Sequence, residues 1–182
     1  MKTTHILIAA AALAASAQAQ ITFAPQKEIH TSLEVKTIAT KMEMRDEFQT
    51  NYGSYDQHTA RSRAVEITVR TYGQTAEPFA VLTYWIGKKT ATNDRVILKK
   101  ETAKGEGKPG PTEKFTSSSG AVKGSDLNLA IIGVRRTEGY RIEGWIVVAA
   151  RASDDAILAI KASSPGLETL ARSADFAALR SK

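Results

Sequence analysis

Histidine and paired carboxylates are the residues here whose chemistry would be easiest to use. His30 and His58 lie on different segments, and neither stands at a metal-ligand spacing. A zinc site normally takes three or four close ligands. Asp154-Asp155, after Ser153, would hold calcium only with further oxygen ligands, and turn chemistry explains the trio better. Ser117-Ser118-Ser119 sits in a glycine-flanked loop, but no histidine is near it in sequence to act as a base. Asp46-Glu47 and Asp154-Asp155 are paired carboxylates of the type glycosidases use, yet such pairs occur on any surface. The chain has no Gly-x-Ser-x-Gly, no Walker loop and no dinucleotide fingerprint. It has no cysteine, so thiol chemistry, thiolate-bound metal, lipobox acylation and disulfides are all excluded. The expectation is a non-catalytic chain with no cofactor and no metal. The alternative is a periplasmic or secreted hydrolase with a weakly encoded site at His30 or His58.

Two stretches are better suited to binding. Residues 48–58 hold Phe48, Tyr52 and Tyr55 among Gln49, Asn51, Asp56, Gln57 and His58. Tyrosine offers rigid contact area and a hydroxyl, and sugars stack on such rings. The plainer reading is a polar hairpin whose tyrosines pack on the strand beneath. The second stretch runs from Lys88 to Lys123, where nine basic residues face Asp94, Glu101, Glu106 and Glu113. A basic stripe attracts anionic partners, and it also keeps a strand-and-loop pair solvated. The candidate binding residues are therefore Asn51, Tyr52, Tyr55, Lys99, Lys100 and Lys104. The expected partner is a protein or a surface glycan.

The first residues argue for export. Lys2 precedes an apolar run at 6–15, and Ala17-Gln18-Ala19 is a small-residue cleavage site. A run of about 10 apolar residues is short of the roughly 20 that span a bilayer, so no transmembrane anchor is expected. The expected organisation is a signal peptide at 1–19 and one domain at 20–182, working in the periplasm, at the surface or outside. Nucleic acid is not an expected partner of an exported chain. The net charge is +6.

Period-two patterning dominates the elements that must position these residues. Ile29, Thr31, Leu33 and Val35 alternate with polar neighbours, and then the phase slips to Ile38, Met42 and Met44. A one-residue slip within a strand predicts a β-bulge. Val65, Ile67, Val69 and Thr71 form the returning strand, so 48–58 is the tip of a long hairpin. Residues 79–86 are apolar on both faces, as in a central strand, and 95–102 form a neighbour nearer an edge. A loop is expected at 104–111 and a short strand at 114–118. Residues 127–134 are ambiguous between strand and helix. Residues 140–151 and 156–162 pair through Ser153-Asp154-Asp155. Ser164-Pro165 then caps one amphipathic helix at about 165–180. About seven strands predict a mainly β fold, an antiparallel sandwich with a short C-terminal helix, with a small β-barrel as the alternative.

Three late segments carry a resemblance: Glu143-Gly144-Trp145-Ile146-Val147-Val148, Asp155-Ala156-Ile157-Leu158-Ala159, and Ala162-Ser163-Ser164-Pro165-Gly166-Leu167-Glu168. Together they resemble the tail of small, exported, cysteine-free immunoglobulin-like β-sandwich proteins of Gram-negative bacteria. One such protein is encoded with type IV pilus-like components in a mucin-associated gut bacterium. The resemblance implies an immunoglobulin-like sandwich and a non-catalytic surface- or pilus-associated role, and it brings no catalytic residues. On the residues themselves, Trp85 and Trp145 are the expected core centre. Gly144 is expected to make room for the neighbouring indole.

Overall fold

Alternating apolar residues build eight antiparallel strands in the computed structural model, which describes residues 22–25, 31–50, 52–73 and 75–180. The signal peptide, Gln20, Ile29, His30 and Asn51 lie outside the described residues. The strands are β1 (Thr31–Gln49), β2 (Tyr55–Thr71), β3 (Phe79–Lys89), β4 (Arg95–Gly105), β5 (Thr112–Ser118), β6 (Val122–Leu129), β7 (Val134–Arg151) and β8 (Ile157–Ala162). Two helices follow, α1 (Pro165–Ala171) and α2 (Ala174–Arg180).

β1-β2-β5 form one layer and β4-β3-β7-β8 the other. This pairing is that of an immunoglobulin-like sandwich. Edges β4 and β5 do not pair into a barrel. Val65, Ile67 and Val69 of β2 face Phe79, Val81 and Trp85 of β3 and Trp145, Val147 and Ala149 of β7. The helices add a third layer. Leu167, Leu170, Ala171 and Phe176 cover Tyr84, Ile86, Ile146 and Val148 on the outer face of the second sheet. β3 and the late half of β7 are thus buried on both faces, which is why their sequences lose alternation.

Local rules account for most boundaries. The register of β1 on β2 shifts between Thr37 and Ala39, so Ile38 is the extra residue at the expected phase slip. Ser164 accepts from the Leu167 N–H, and Pro165 opens α1. The expected single helix is instead two. α1 ends in tightened turns, with the Arg172 N–H donating to the Thr169 carbonyl and the Ser173 N–H to the Leu170 carbonyl at 2.9 Å, which also accepts from the Ser173 hydroxyl at 2.7 Å. Residues 127–134 are not one element either. β6 ends at Leu129, a 3₁₀ turn spans Ala130–Ile132, and Gly133 (φ 66°) turns the chain into β7. That turn completes an eighth strand beyond the seven expected.

The two tryptophans face each other across β3 and β7. Trp85 is 0% exposed and Trp145 8%. Gly144 serves a different neighbour from the one expected. A Cβ there would lie 2.7 Å from Leu167 Cδ1 and closer still to the Ser163 hydroxyl, so the glycine seats the entry to α1 and not the indole. The Ser163 hydroxyl accepts from the Trp145 N–H at 3.1 Å in the same place. Truncating Trp145 to alanine removes a buried ring from the centre of the core, a change that costs ~3–5 kcal/mol. Thermal unfolding of Trp145→Ala is expected to show that loss. A wild-type midpoint would place the ring outside the core.

Candidate functional site

β1, β2 and β7 are longer than the sandwich needs. Their outer parts join β6 in a four-stranded sheet, β1-β2-β6-β7, that extends beyond the two-layer core as an arm. From Lys36 to Gln49 every residue of β1 is exposed on both faces. Period-two alternation ordinarily marks a half-buried strand, and the apolar set after the bulge departs from that. Ile38, Met42 and Met44 are 51%, 48% and 54% exposed. Among the described residues no second layer lies over this part of the sheet to cover them.

One face of the arm carries a groove of about 530 Å³. Glu43, Arg45, His58, Lys123 and Glu138 line it, and Gly124 and Gly139 sit at its base. Glycine is required there. At Gly139 (φ 82°) a Cβ would fall 2.4 Å from the Lys123 carbonyl oxygen, and the backbones of β6 and β7 would have to part. At the outer end of the groove His58 Nε2 lies 3.4 Å from Asp56 Oδ1 and 3.5 Å from Glu47 Oε1. The three ligand atoms lie within 4.8 Å of one another, a set able to hold a divalent ion with water completing its shell. Asp56 and His58 share a face because they are two apart on β2. Glu47 joins them because the register shifts between Asp46 and Phe48. Ser125 stands opposite His58 on β6, but no hydrogen bond joins the two.

This cluster was not legible from spacing along the chain. Glu47 and His58 come from opposite sides of the hairpin, and only the cross-strand register brings them together. Counting outward from the turn at residues 50–54 pairs Glu47 with Gln57 on the wrong face, so the bulge between Asp46 and Phe48 has to be known as well.

The candidate tyrosines separate. Tyr52 is 79% exposed at the hairpin tip. The Tyr55 hydroxyl donates to Asp126 Oδ2 at 3.2 Å on the face opposite the groove, and Asp126 also accepts from Arg135 at 3.0 Å. The lysines separate too, because neighbours on a strand point to opposite faces. Lys99 donates to the Ser118 carbonyl at 2.9 Å and pairs with Glu101 at 2.6 Å, spanning the seam between β4 and β5. Lys100 stands 5.7 Å over the Tyr84 ring on the helix side, and exposed Lys104 has the same parity. The three do not form one basic surface. Elsewhere in the stretch, Arg95 donates to both carboxylate oxygens of Glu143 at 2.9 and 2.8 Å, with Lys88 at 3.3 Å. Ser117 is not an available nucleophile, since its hydroxyl accepts from the buried Trp85 indole at 2.9 Å and donates to Glu101.

Glu101 is pulled in opposite directions. Partial burial pushes its pKa up, but Lys99, the Ser117 hydroxyl and the Ser118 N–H favour the carboxylate and hold it below its ordinary value.

No family model matches the chain, and no curated protein matches it. Among solved structures, a protein from Akkermansia muciniphila aligns at 13% identity over 75% of this chain and 72% of its own, with a TM-score of 0.28. The β-glucosidase of Kluyveromyces marxianus in complex with glucose aligns at 14% identity over 73% of this chain but 14% of its own, also at 0.28. Likenesses at this level carry no argument about function. Among the described residues no helix is long and apolar enough to cross a membrane.

The seam makes stability depend on pH with a definite sign. A folded-state pKa held down means that the Glu101 contribution is complete above the ordinary carboxylate pKa, about 4.3, and is lost as pH falls through that value and below. The melting temperature of Glu101→Gln is expected to lie below wild type at pH 7, with the gap closing as the pH is lowered toward about 3. A gap that widens with acid would mean that the carboxylate is not the stabilising form.

Proposed function

We propose that this chain is an exported, non-catalytic binding or assembly module whose four-stranded arm is the recognition element. One observation carries the reading. The arm presents Ile38, Met42, Met44 and Phe48 from β1 and Ile131 and Ile132 from the turn before β7, with Ile131 74% and Ile132 67% exposed. Apolar surface gathered on one projection is favourable to cover. Among the described residues the strands beneath it are held by backbone pairing, glycines and ion pairs, with no second layer packed over β1. Such a surface fits a protein partner, or a surface glycan stacking on Tyr52. A surface- or pilus-associated setting is what the resemblance of the tail implies. Export itself rests on Lys2, the apolar run at 6–15 and Ala17-Gln18-Ala19. N-terminal sequencing of the native protein is expected to begin at Gln20, and a retained Met1 would remove the export reading.

A hydrolase remains the second reading for one reason, the Glu47–Asp56–His58 cluster in the groove beside Ser125. The test compares wild type with the triple variant Tyr52→Ala, Ile131→Ser, Ile132→Ser, on arrayed surface glycans and on envelope fractions of the source organism. These are surface positions, where changes shift stability by only about 0.5 kcal/mol each, so circular dichroism is expected to show a folded domain. Retention on one of the two matrices is expected to fall at least about tenfold, the equivalent of 1.4 kcal/mol. Unchanged retention would overturn the arm as recognition element. A turnover abolished by His58→Ala would overturn the non-catalytic reading.

A further inference from the structure

The outer edge of the arm is β1. It pairs with β2 on one side, and beyond the bulge at Ile38 no other strand among the described residues pairs with its second side. The opposite flank of the sandwich is treated differently. There Thr22 and Ala24 exchange backbone hydrogen bonds with Ile157, covering the edge of β8. A free edge is a row of unpaired N–H and C=O groups that templates another strand. This one has no proline and is 19 residues long. It does carry charges, which commonly keep edges apart. Their order is what decides the outcome here.

From Lys41 to Glu47 the strand reads Lys-Met-Glu-Met-Arg-Asp-Glu. By register Lys41, Glu43 and Arg45 share the face of Ser62, Ala60 and His58, and Glu47 joins them at the bulge, while Met42 and Met44 share the face of Arg61 and Thr59, with Met44 also touching the rim of the groove. Laid antiparallel on its own copy about a two-fold axis at Met44, the strand matches itself. Glu43 meets Arg45 of the second copy, Lys41 meets Glu47 of the second copy, and symmetry repeats both. Met44 meets its own copy on the other face, with Met42 diagonal to it and opposite Asp46 of the second copy. Moving the axis one residue either way fails. Centred at Glu43, Lys41 opposes Arg45 of the second copy and Glu43 opposes itself. Centred at Arg45, Glu43 opposes Glu47 of the second copy and Arg45 opposes itself. Opposite charges directly across a strand pair stabilise and like charges destabilise, so the sequence favours one register and rejects its neighbours. Lys41 and Glu43 already pair at 2.5 Å within one chain, which holds both side chains on the face where the second copy would meet them.

We propose that two copies of this chain join through β1 into one continuous antiparallel sheet, with the two-fold axis at Met44. The isologous contact brings the methionines together, pairs Lys41, Glu43, Arg45 and Glu47 across the edge, and leaves the Gly124 and Gly139 side of the groove and the hairpin tip on each arm open. The inference rests on the arm being a recognition element and names the second copy as the occupant of its edge.

The purified protein is expected to sediment as a dimer. The double variants Glu43→Lys, Glu47→Lys and Lys41→Glu, Arg45→Glu present edges of one sign each. Each alone is expected to be monomeric, with self-association weakened at least about 100-fold, and an equimolar mixture is expected to dimerise. Because the chain has no cysteine, Met44→Cys is expected to oxidise to a covalent dimer while Met42→Cys, which pairs away from its own copy, does not. A monomeric wild type, a mixture that stays monomeric, or equal crosslinking at both positions would overturn the pairing. A monomeric wild type whose glycan or envelope retention still depends on Tyr52, Ile131 and Ile132 would overturn the dimer alone. Retention independent of those residues, with charge-swap dimers intact, would overturn the reading of the groove and tip alone.

Discussion

A completely buried indole N–H has to be bonded, and meeting that demand for Trp85 organises the centre of this molecule. The ring contributes the largest side chain in the core, but its N–H cannot stay unpaired away from water without a cost of about 1–3 kcal/mol. Ser117 of β5 accepts it at 2.9 Å. The same hydroxyl donates to Glu101 of β4, and Lys99 of β4 closes the circuit on the Ser118 carbonyl. One hydrogen-bond chain thus links the interior to the seam where β4 and β5 run past each other without backbone pairing. The sandwich needs no disulfide because this seam, the facing Trp145 and the helix layer together fix how the sheets sit.

The arm follows from the opposite condition. Its strands extend past the region where a second layer exists among the described residues, so backbone hydrogen bonds, glycines and ion pairs do most to hold it. Gly124 and Gly139 let β6 and β7 approach, and Asp126 gathers Tyr55 and Arg135 on one face. Burial of apolar area, which contributes most to holding the sandwich together, is slight here, limited to Val122 at the root and the half-buried Leu127 and Leu129 of β6. The same residues that would form a core in a two-layered fold are left facing water. A packed core therefore carries a projecting sheet whose apolar side chains stay exposed.

Charge in this protein is mostly local. The excess of lysine and arginine from Lys88 to Lys123 suggests a basic surface along the chain. In three dimensions Arg95 and Lys88 share Glu143, Lys99 takes Glu101, and Lys100 and Arg180 flank the Tyr84 ring at 5.7 and 5.6 Å. Tyr84 itself is buried with no partner for its hydroxyl among the described residues, and burial pushes its pKa up. The ring is held by contact with Phe176 and by these two cations, not by a hydrogen bond.

Wherever a residue's neighbours are its neighbours in sequence, or its cross-strand partners in a regular hairpin, the sequence alone determined the structure. The slip at Ile38, the central character of β3, the Ser164-Pro165 helix start and the turn at Asp154-Asp155 are all of this kind, because turn chemistry and side-chain alternation are local rules. Gly144 was legible as a space but not as whose space, since Ser163 and Leu167 reach it from a different element. The break in the C-terminal helix lies where Arg172 and Ser173 close tighter turns on Thr169 and Leu170. The Glu47–Asp56–His58 cluster needed the hairpin register, and the separation of Lys99 from Lys100 needed to know which face of β4 meets β5. Most of all, alternation at Met42 and Met44 states that one face of β1 is apolar. Whether that face is covered depends on a second layer, and only the tertiary structure decides that the second layer ends before it reaches them.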